Sequence, residues 1–283
     1  MTQPTRPGGQ APVDEALQRH RDALKELFPL PPATPKPRKA TKATKAAGGV
    51  LLLALAVGIL AWLDPAYQHE RFVTAIGERR DVTLADGSQL LLDSGSQVEV
   101  SWHPFSRQVE LRSGQALFEV SPALYRPFVV SAGSIRVRVL GTRFNVRRLD
   151  DDVRVTLARG RVEVANMAAA KAPLVLLPGQ QVDSIGGQLT PVAKVDAATA
   201  MAWQDDRLVF ERTPLGEAVA LLRHYRKAPI RMDDPSLASL RLTGVFAAHN
   251  ADLLLDLLPS ILPVAVSRQE DGSVEIQRKS TRK

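Results

Sequence analysis

A threonine hydroxyl directly after a glycine can attack the glycine carbonyl when the peptide between them is strained. Gly141-Thr142, within Leu140-Gly141-Thr142-Arg143-Phe144, offers that arrangement. The same pair also fits a β-bulge, where glycine serves backbone geometry alone. Both readings stand at this level. The five histidines (His20, His69, His103, His224, His249) are scattered, and none makes the HExxH spacing that sets two zinc ligands on one helical face. Asp150-Asp151-Asp152 could hold a cation but falls between two strand patterns, where a solvated turn is expected. The chain has no cysteine, which removes thiolate metal sites, disulfides and a cysteine nucleophile. There is no GxSxG elbow, no GxxxxGK[ST] loop and no GxGxxG. No metal or cofactor is expected, and no enzyme activity beyond a self-directed reaction at Gly141-Thr142.

The elements that must position this pair are strands. Over residues 80–189 apolar residues alternate with period two, as in Leu90 and Leu92, Val98, Val100 and Trp102, or Val153, Val155 and Leu157. Asp86-Gly87, Ser94-Gly95, Ser113-Gly114, Arg159-Gly160 and Pro178-Gly179 separate the runs as turn signals. This predicts an all-β domain over 64–195, a twisted sandwich or a solenoid-like double sheet of about ten strands. After Lys194 the pattern changes to two strand-helix-strand units, a small α+β domain over 196–283. Thr213 is expected to cap its first helix with Pro214 at the first position, and Leu215, Ala218, Val219 and Leu222 form the buried stripe. Asn250 is expected to cap the second helix, with Leu254, Leu257 and Leu258 inward.

Charge and hydropathy set the other end apart. The net charge is +7 overall, but residues 1–45 hold nine Lys/Arg against four acids, a net of +5. The excess belongs to one short segment, which argues against direct nucleic-acid binding. Residues 46–63 (AAGGVLLLALAVGILAWL) are an uncharged run of 18. At about 1.5 Å per residue they predict a single transmembrane helix. Lys36, Arg38, Lys39, Lys42 and Lys45 precede it and Asp64 follows it, so the N-terminus is expected in the cytoplasm and the C-terminus outside. Within 1–45, residues 13–28 place Val13, Leu17, Leu24, Leu27 and Phe28 on one face of an amphipathic helix, and the Pro-rich 29–37 ends it. That helix fits either a lipid surface or the groove of a cytoplasmic partner.

Taken in order, several short motifs resemble the FecR-like regulators of extracytoplasmic-function sigma factors. They are Val82-Thr83-Leu84-Ala85-Asp86-Gly87-Ser88, Arg107-Gln108-Val109-Glu110-Leu111, and Gly114-Gln115-Ala116-Leu117-Phe118-Glu119-Val120. Arg126-Pro127-Phe128-Val129-Val130, Leu140 to Val146, Gly160-Arg161-Val162 and Leu177-Pro178-Gly179-Gln180 continue the series. Ala202-Trp203, Leu208-Val209-Phe210 and Pro214-Leu215 resemble the family's continuation into a module like the short N-terminal domain of secretins and TonB-dependent receptors. The resemblance implies an anti-sigma factor in the inner membrane with a periplasmic C-terminus. It implies two partners, a cytoplasmic sigma factor and the N-terminal signalling domain of a TonB-dependent outer-membrane receptor for a siderophore or haem. Residues 203–283 would face the receptor, and periplasmic and intramembrane proteases would release the signal. Some members cleave themselves by an acyl shift at a matching Gly-Thr pair, which here is Gly141-Thr142. The chain departs from the family at 1–45, which offers one helix and no tryptophan where several helices are usual. Either the 13–28 helix is a reduced sigma-binding element, or that contact is lost or moved. A membrane-tethered periplasmic binding or scaffold protein without a sigma partner is the alternative function.

Overall fold

The computed structural model describes residues 18, 20, 21, 55, 57–59, 64–169 and 171–279. The expected sigma-binding residues Val13, Leu17, Leu24, Leu27 and Phe28 lie outside the described residues, as does most of the apolar run 46–63. Among the described residues no helix is long and apolar enough to cross a membrane.

The N-terminal part of the described chain is a two-sheet β domain. Its strands in chain order are β1 (Gln68–Val73), β2 (Arg80–Thr83), β3 (Gln89–Leu92), β4 (Gln97–Trp102), β5 (Arg107–Glu119), β6 (Phe128–Ala132) and β7 (Ile135–Val139). There follow β8 (Arg143–Leu149), β9 (Asp152–Arg159), β10 (Val162–Asn166), β11 (Leu174–Leu176), β12 (Gln180–Ile185), β13 (Gln188–Leu189) and β14 (Ala193–Lys194). The long β5 belongs to both sheets. Its first half pairs with β4 and, in parallel, with β6, while its second half pairs with β3 and β8. One sheet therefore runs β1-β4-β5-β6-β7-β10-β11, and the other continues from β5 through β8, β9 and β12 with β2 and β3 on its far side.

The crossing of β5 between sheets falls at Ser113-Gly114, where the β4–β5 register shifts. Gly114 has φ +86°, and a Cβ there would lie 2.4 Å from Ser96 Oγ and 2.6 Å from Ser96 Cα. Glycine is required on both counts, of conformation and of space. Ser96 Oγ fills the gap in the ladder, accepting from Gln115 N at 3.0 Å and donating to Gln115 O at 2.9 Å.

The alternating residues named from the sequence point between the sheets. Val98, Leu111, Phe118, Phe144, Val146 and Leu157 are all without exposed surface. Phe118 stacks on Phe144 at 5.0 Å between ring centroids and meets Phe128 edge-on at 6.1 Å. Each such side chain stabilises the fold by about 1.5–3 kcal/mol on burial. The edge strand β1 was not visible in the sequence pattern, because QHERFV has no apolar alternation and lies largely exposed against β4.

The C-terminal part holds α1 (Ala197–Ala200), β15 (Arg207–Pro214), α2 (Leu215–Leu222), β16 (Ile230–Met232), β17 (Arg241–Ala247), α3 (Ala251–Ile261), β18 (Val264–Arg268) and β19 (Val274–Arg278). β15 pairs with β17, and β19 lies between β16 and β18. The stripe Leu215, Ala218, Val219 and Leu222 is buried as expected. Asn250 Oδ1 caps α3, accepting from Leu253 N at 3.2 Å. Two expectations are corrected. Thr213 does not cap α2, because β15 continues through it to pair Thr213 with Leu242, and Pro214 becomes the cap position. Leu257 is 38% exposed and Leu255 is buried in its place, since α3 turns the Leu254, Leu255 and Leu258 arc inward.

The two parts share a core. Leu117 of β5 packs into the C-terminal cluster with Trp203, Leu215 and Leu222, and Leu91 and Ala158 pack against it from β3 and β9. The second sheet is thus covered on both faces, which explains the unbroken buried run Ala116-Leu117-Phe118.

Candidate functional site

Gly141-Thr142 lies in the connection between β7 and β8, not inside a strand. The ladder irregularity comes one residue later, where Arg143 and Phe144 face Arg159 and Leu157 across a bulge at Ala158. Backbone hydrogen bonds clamp both sides of the pair: Ala123 N donates to Leu140 O and Val120 N donates to Thr142 O, each at 2.9 Å. Thr142 is 3% exposed, and its hydroxyl has no hydrogen-bond partner among the described residues. An unpaired buried hydroxyl costs free energy, so its placement is a feature to be explained. Gly141 has no positive φ, but a Cβ there would meet Pro122 at 3.0 Å. Gly160 is the tighter partner. At φ +94° its backbone passes so close that a Cβ would sit 2.6 Å from Thr142 Cγ2 and 3.1 Å from Gly141 O. The pair is thus buried, clamped on both sides by backbone hydrogen bonds, and carries a hydroxyl with no partner among the described residues.

The second candidate region is the seam between the β domain and the C-terminal part. Trp203 is 4% exposed and donates its indole N–H to Asn145 Oδ1 at 3.2 Å, which also accepts from Gln115 Nε2 at 3.0 Å. Arg79 donates to the carbonyls of Trp203 and Gln204 at 2.8 and 3.0 Å, and Arg143 donates to Gln204 Oε1 at 2.8 Å. Beside them Arg154 takes Asp183 in a two-pronged contact at 2.7 and 3.0 Å and reaches Glu217 of α2 at 2.6 Å, where Arg147 joins at 3.3 Å. Burial alone would raise the Glu217 carboxyl, yet the charges of Arg154 and Arg147 hold it below the ordinary value. Burial, reinforced by Arg154, lowers Arg147. Two guanidinium groups face two carboxylates, so the cleft of about 380 Å³ beside them has no spare charge from this quartet for an anion. The hydroxyl–carboxylate pair within its lining, Thr199 donating to Asp196 at 2.7 Å, belongs to the cap of α1. Among the described residues no cluster of His, Asp or Glu has the geometry of a metal site. Asp150 and Asp151 form the exposed turn between β8 and β9, with Asp150 at φ 52°.

Asp93 sits at the end of the same seam. The Tyr225 hydroxyl donates to its Oδ2, the Ser94 hydroxyl donates to His224 O, and Asp93 Oδ1 has no partner among the described residues. Burial pushes the Asp93 carboxyl up to about 6, against the opposing pull of Tyr225. A group bound more tightly to its proton in the folded state stabilises the fold fully below its unfolded value, near 3.8, and loses that contribution as pH rises through 6. The change is on the order of 3 kcal/mol. Urea midpoints of the full chain in detergent should therefore fall between pH 4 and 6 by more than those of Asp93→Asn. Parallel pH profiles for the two proteins would remove Asp93 from this account.

The structure also explains two motif residues that spacing alone left without a role. Arg107 is 1% exposed, donates to Asp86 Oδ2 at 2.6 Å and lies 5.3 Å from the centroid of the Phe128 ring. The Asp86-Gly87 turn and the start of β5 are thus joined by a buried ion pair. In the C-terminal part, β15 and β17 pair only with each other, and β16 and β18 each have one partner, so sheet edges remain open.

Comparison with known proteins agrees with this architecture. The family model described as FecR protein matches residues 70–163, from within β1 to the start of β10. Two crystal structures of a candidate anti-sigma factor from Parabacteroides distasonis, at 2.50 and 1.65 Å resolution, superpose with a TM-score of 0.67 at 24% identity. The match covers 75% of this chain and 100% of theirs, and at that identity it establishes a shared fold. No curated protein matches the chain.

Proposed function

Since the chain carries a FecR-family domain over residues 70–163, we infer that it is an inner-membrane regulator of an extracytoplasmic-function sigma factor. Family and fold together support the sigma-factor role. The finer reading is that it relays the state of a TonB-dependent outer-membrane receptor, loaded with a siderophore or haem, to transcription. In this reading residues 46–63 span the membrane, 1–45 meet the sigma factor, and 64–283 are periplasmic. The observation that carries the reading is the FecR-family β domain, continued into an α+β part whose open sheet edges suit strand addition by a receptor domain. Proteases of the periplasm and the membrane would then free the cytoplasmic end.

The sigma contact is assigned to the helix over 13–28, whose apolar face is the only continuous one in residues 1–45. Leu24→Asp combined with Leu27→Asp should reduce co-purification of the full chain with its sigma factor at least tenfold. Binding that survives the double change would place the contact elsewhere. No sigma binding by the unaltered chain would favour the tethered periplasmic scaffold instead. The receptor contact cannot be tested by deleting 203–283, because that would expose Leu91, Leu117 and Ala158 of the β domain. Substitution on the open edges is the cleaner experiment.

Self-cleavage at Gly141-Thr142 belongs to the same reading. The Thr142 Oγ1 would bond to the Gly141 carbonyl carbon while the Gly141 C–N bond breaks. The hydroxyl proton passes to the departing nitrogen, leaving an ester and a free amine. Water then hydrolyses the ester to a Gly141 carboxylate and restores the threonine hydroxyl.

A further inference from the structure

Two loops of the β domain gather where the chain emerges from the apolar run 46–63. Asp64, the first residue after that run, binds one of them: its Oδ1 accepts from Phe105 N at 2.9 Å, its Oδ2 accepts from the Ser106 hydroxyl at 2.5 Å, and its carbonyl meets His103 Nδ1. Arg126 joins the second loop to the first, donating Nε to His103 O at 2.9 Å and Nη2 to the Tyr67 hydroxyl at 2.8 Å. Its guanidinium also lies 5.9 Å from the Tyr67 ring centroid and 5.7 Å from that of Trp102.

This small assembly carries the three most exposed large apolar side chains among the described residues: Tyr125 at 94%, Leu124 at 77% and Tyr67 at 62%, with Phe105 at 49% beside them. Isolated apolar side chains on a surface need no explanation, but a cluster built on hydrogen-bonded loops does. Neither residues 102–107 nor residues 121–127 contain an acid, and the carboxylate of Asp64 is occupied by the loop it binds.

We propose that this loop pair is a membrane-surface foot, which seats the β domain on the lipid headgroups with Leu124 and Tyr125 inserted at the interface. The proposal rests on the reading of residues 46–63 as the span. Given that span, the occupant follows from chain length. Asp64 itself binds the first loop, and from Asp64 to Tyr67 the backbone reaches at most about 11 Å, so both loops stay at the headgroup layer or within a few ångströms of it. Tyrosine and phenylalanine beside an arginine, with no free acid, are what that region accommodates: aromatic rings at the interface and a guanidinium among phosphates. A second protein is not required to cover the cluster.

The foot has a consequence for the scission pair. The loop that carries Leu124 and Tyr125 begins at Ser121-Pro122, and Pro122 is the group packed against Gly141. Ala123 N holds Leu140 O. A membrane seat would therefore steady the peptide where cleavage is read.

The absence of native cysteine makes the test direct. Tyr125→Cys and, as a control in the exposed β18–β19 turn, Glu270→Cys are each labelled with a nitroxide in the full chain. The labelled proteins are reconstituted into phosphatidylethanolamine/phosphatidylglycerol vesicles and floated. At position 125 the label should be at least fivefold more accessible to oxygen relative to a water-soluble nickel chelate than at position 270. Floated protein with a label at 125 as water-accessible as at 270 overturns the foot while leaving the span intact. Shielding from both relaxants marks a protein neighbour and also overturns it. Protein that fails to float overturns the span, and the foot with it.

Discussion

Thr142→Ala should abolish the proposed scission completely, giving one full-length band where the unaltered chain is expected to give fragments ending at Gly141 and beginning at Thr142. The effect is all or none because no other hydroxyl is available to attack that carbonyl from the adjacent residue. Thr142→Ser keeps the oxygen and should keep the reaction. The structure adds what happens afterwards. A cut between β7 and β8 leaves β5 in the first fragment paired with β8 in the second, and β7 paired with β10. The two pieces should therefore elute together in native chromatography and separate only under denaturing conditions. Gly160→Ala should slow the cut, because a methyl group there collides with Thr142 Cγ2. An intact band from the unaltered chain, purified free of proteases and denatured, would leave Gly141-Thr142 only its role in the strand connection.

Much of the β domain was legible because its chemistry is local. Every alternating residue named from the sequence is in the inter-sheet core, since period two fixes which face a strand side chain takes. The turn glycines were equally plain: Gly87, Gly95, Gly114, Gly160 and Gly179 all have positive φ. What the pattern could not carry is contact across long sequence separation. Leu91 and Leu117 read as breaks in the alternation, and only the docked C-terminal part shows why they are apolar. Thr213-Pro214 looked like a helix start because the capping signature is local, whereas the pairing of Thr213 with Leu242 depends on a strand nearly thirty residues away. The same limit hid the seam. Arg147, Arg154 and Glu217 resemble ordinary surface charges until the fold brings both arginines within 3.3 Å of the Glu217 carboxylate. Arg107 likewise reads as the polar first residue of a strand, and its partner Asp86 lies 21 residues earlier in a turn. For Gly141-Thr142 the sequence supplied the reacting groups, and the fold supplied burial, the unpaired hydroxyl and the clamp from residues 120–123.

Trp203→Ala should be the most damaging single change at the seam, at about 3–5 kcal/mol, the usual cost of truncating a buried aromatic side chain. It removes an indole that fills the shared core and leaves Asn145 with one fewer partner, while Arg79 keeps its backbone acceptors. Because the cost falls between two packed bodies, its expected sign is local. Amide protection should drop in β15 to β19 and persist in the β5–β8 ladder, where the inter-sheet core opposite the Leu117 face is untouched. Trp203→Phe keeps most of the packing and should recover most of the protection. In the proposed relay the position would bear on signalling as well as on stability. Gln204, next to Trp203, accepts from Arg143, and Arg143 is next to Thr142. A receptor domain that pulls on an open edge of the C-terminal part would load this contact and, through β8, the peptide held between Ala123 and Val120. If hydrogen exchange instead shows equal loss of protection in both parts for Trp203→Ala, the seam is not a separable joint. The two parts would then open only together, and force applied at the C-terminal edges could not reach residue 142 without unfolding the whole β domain.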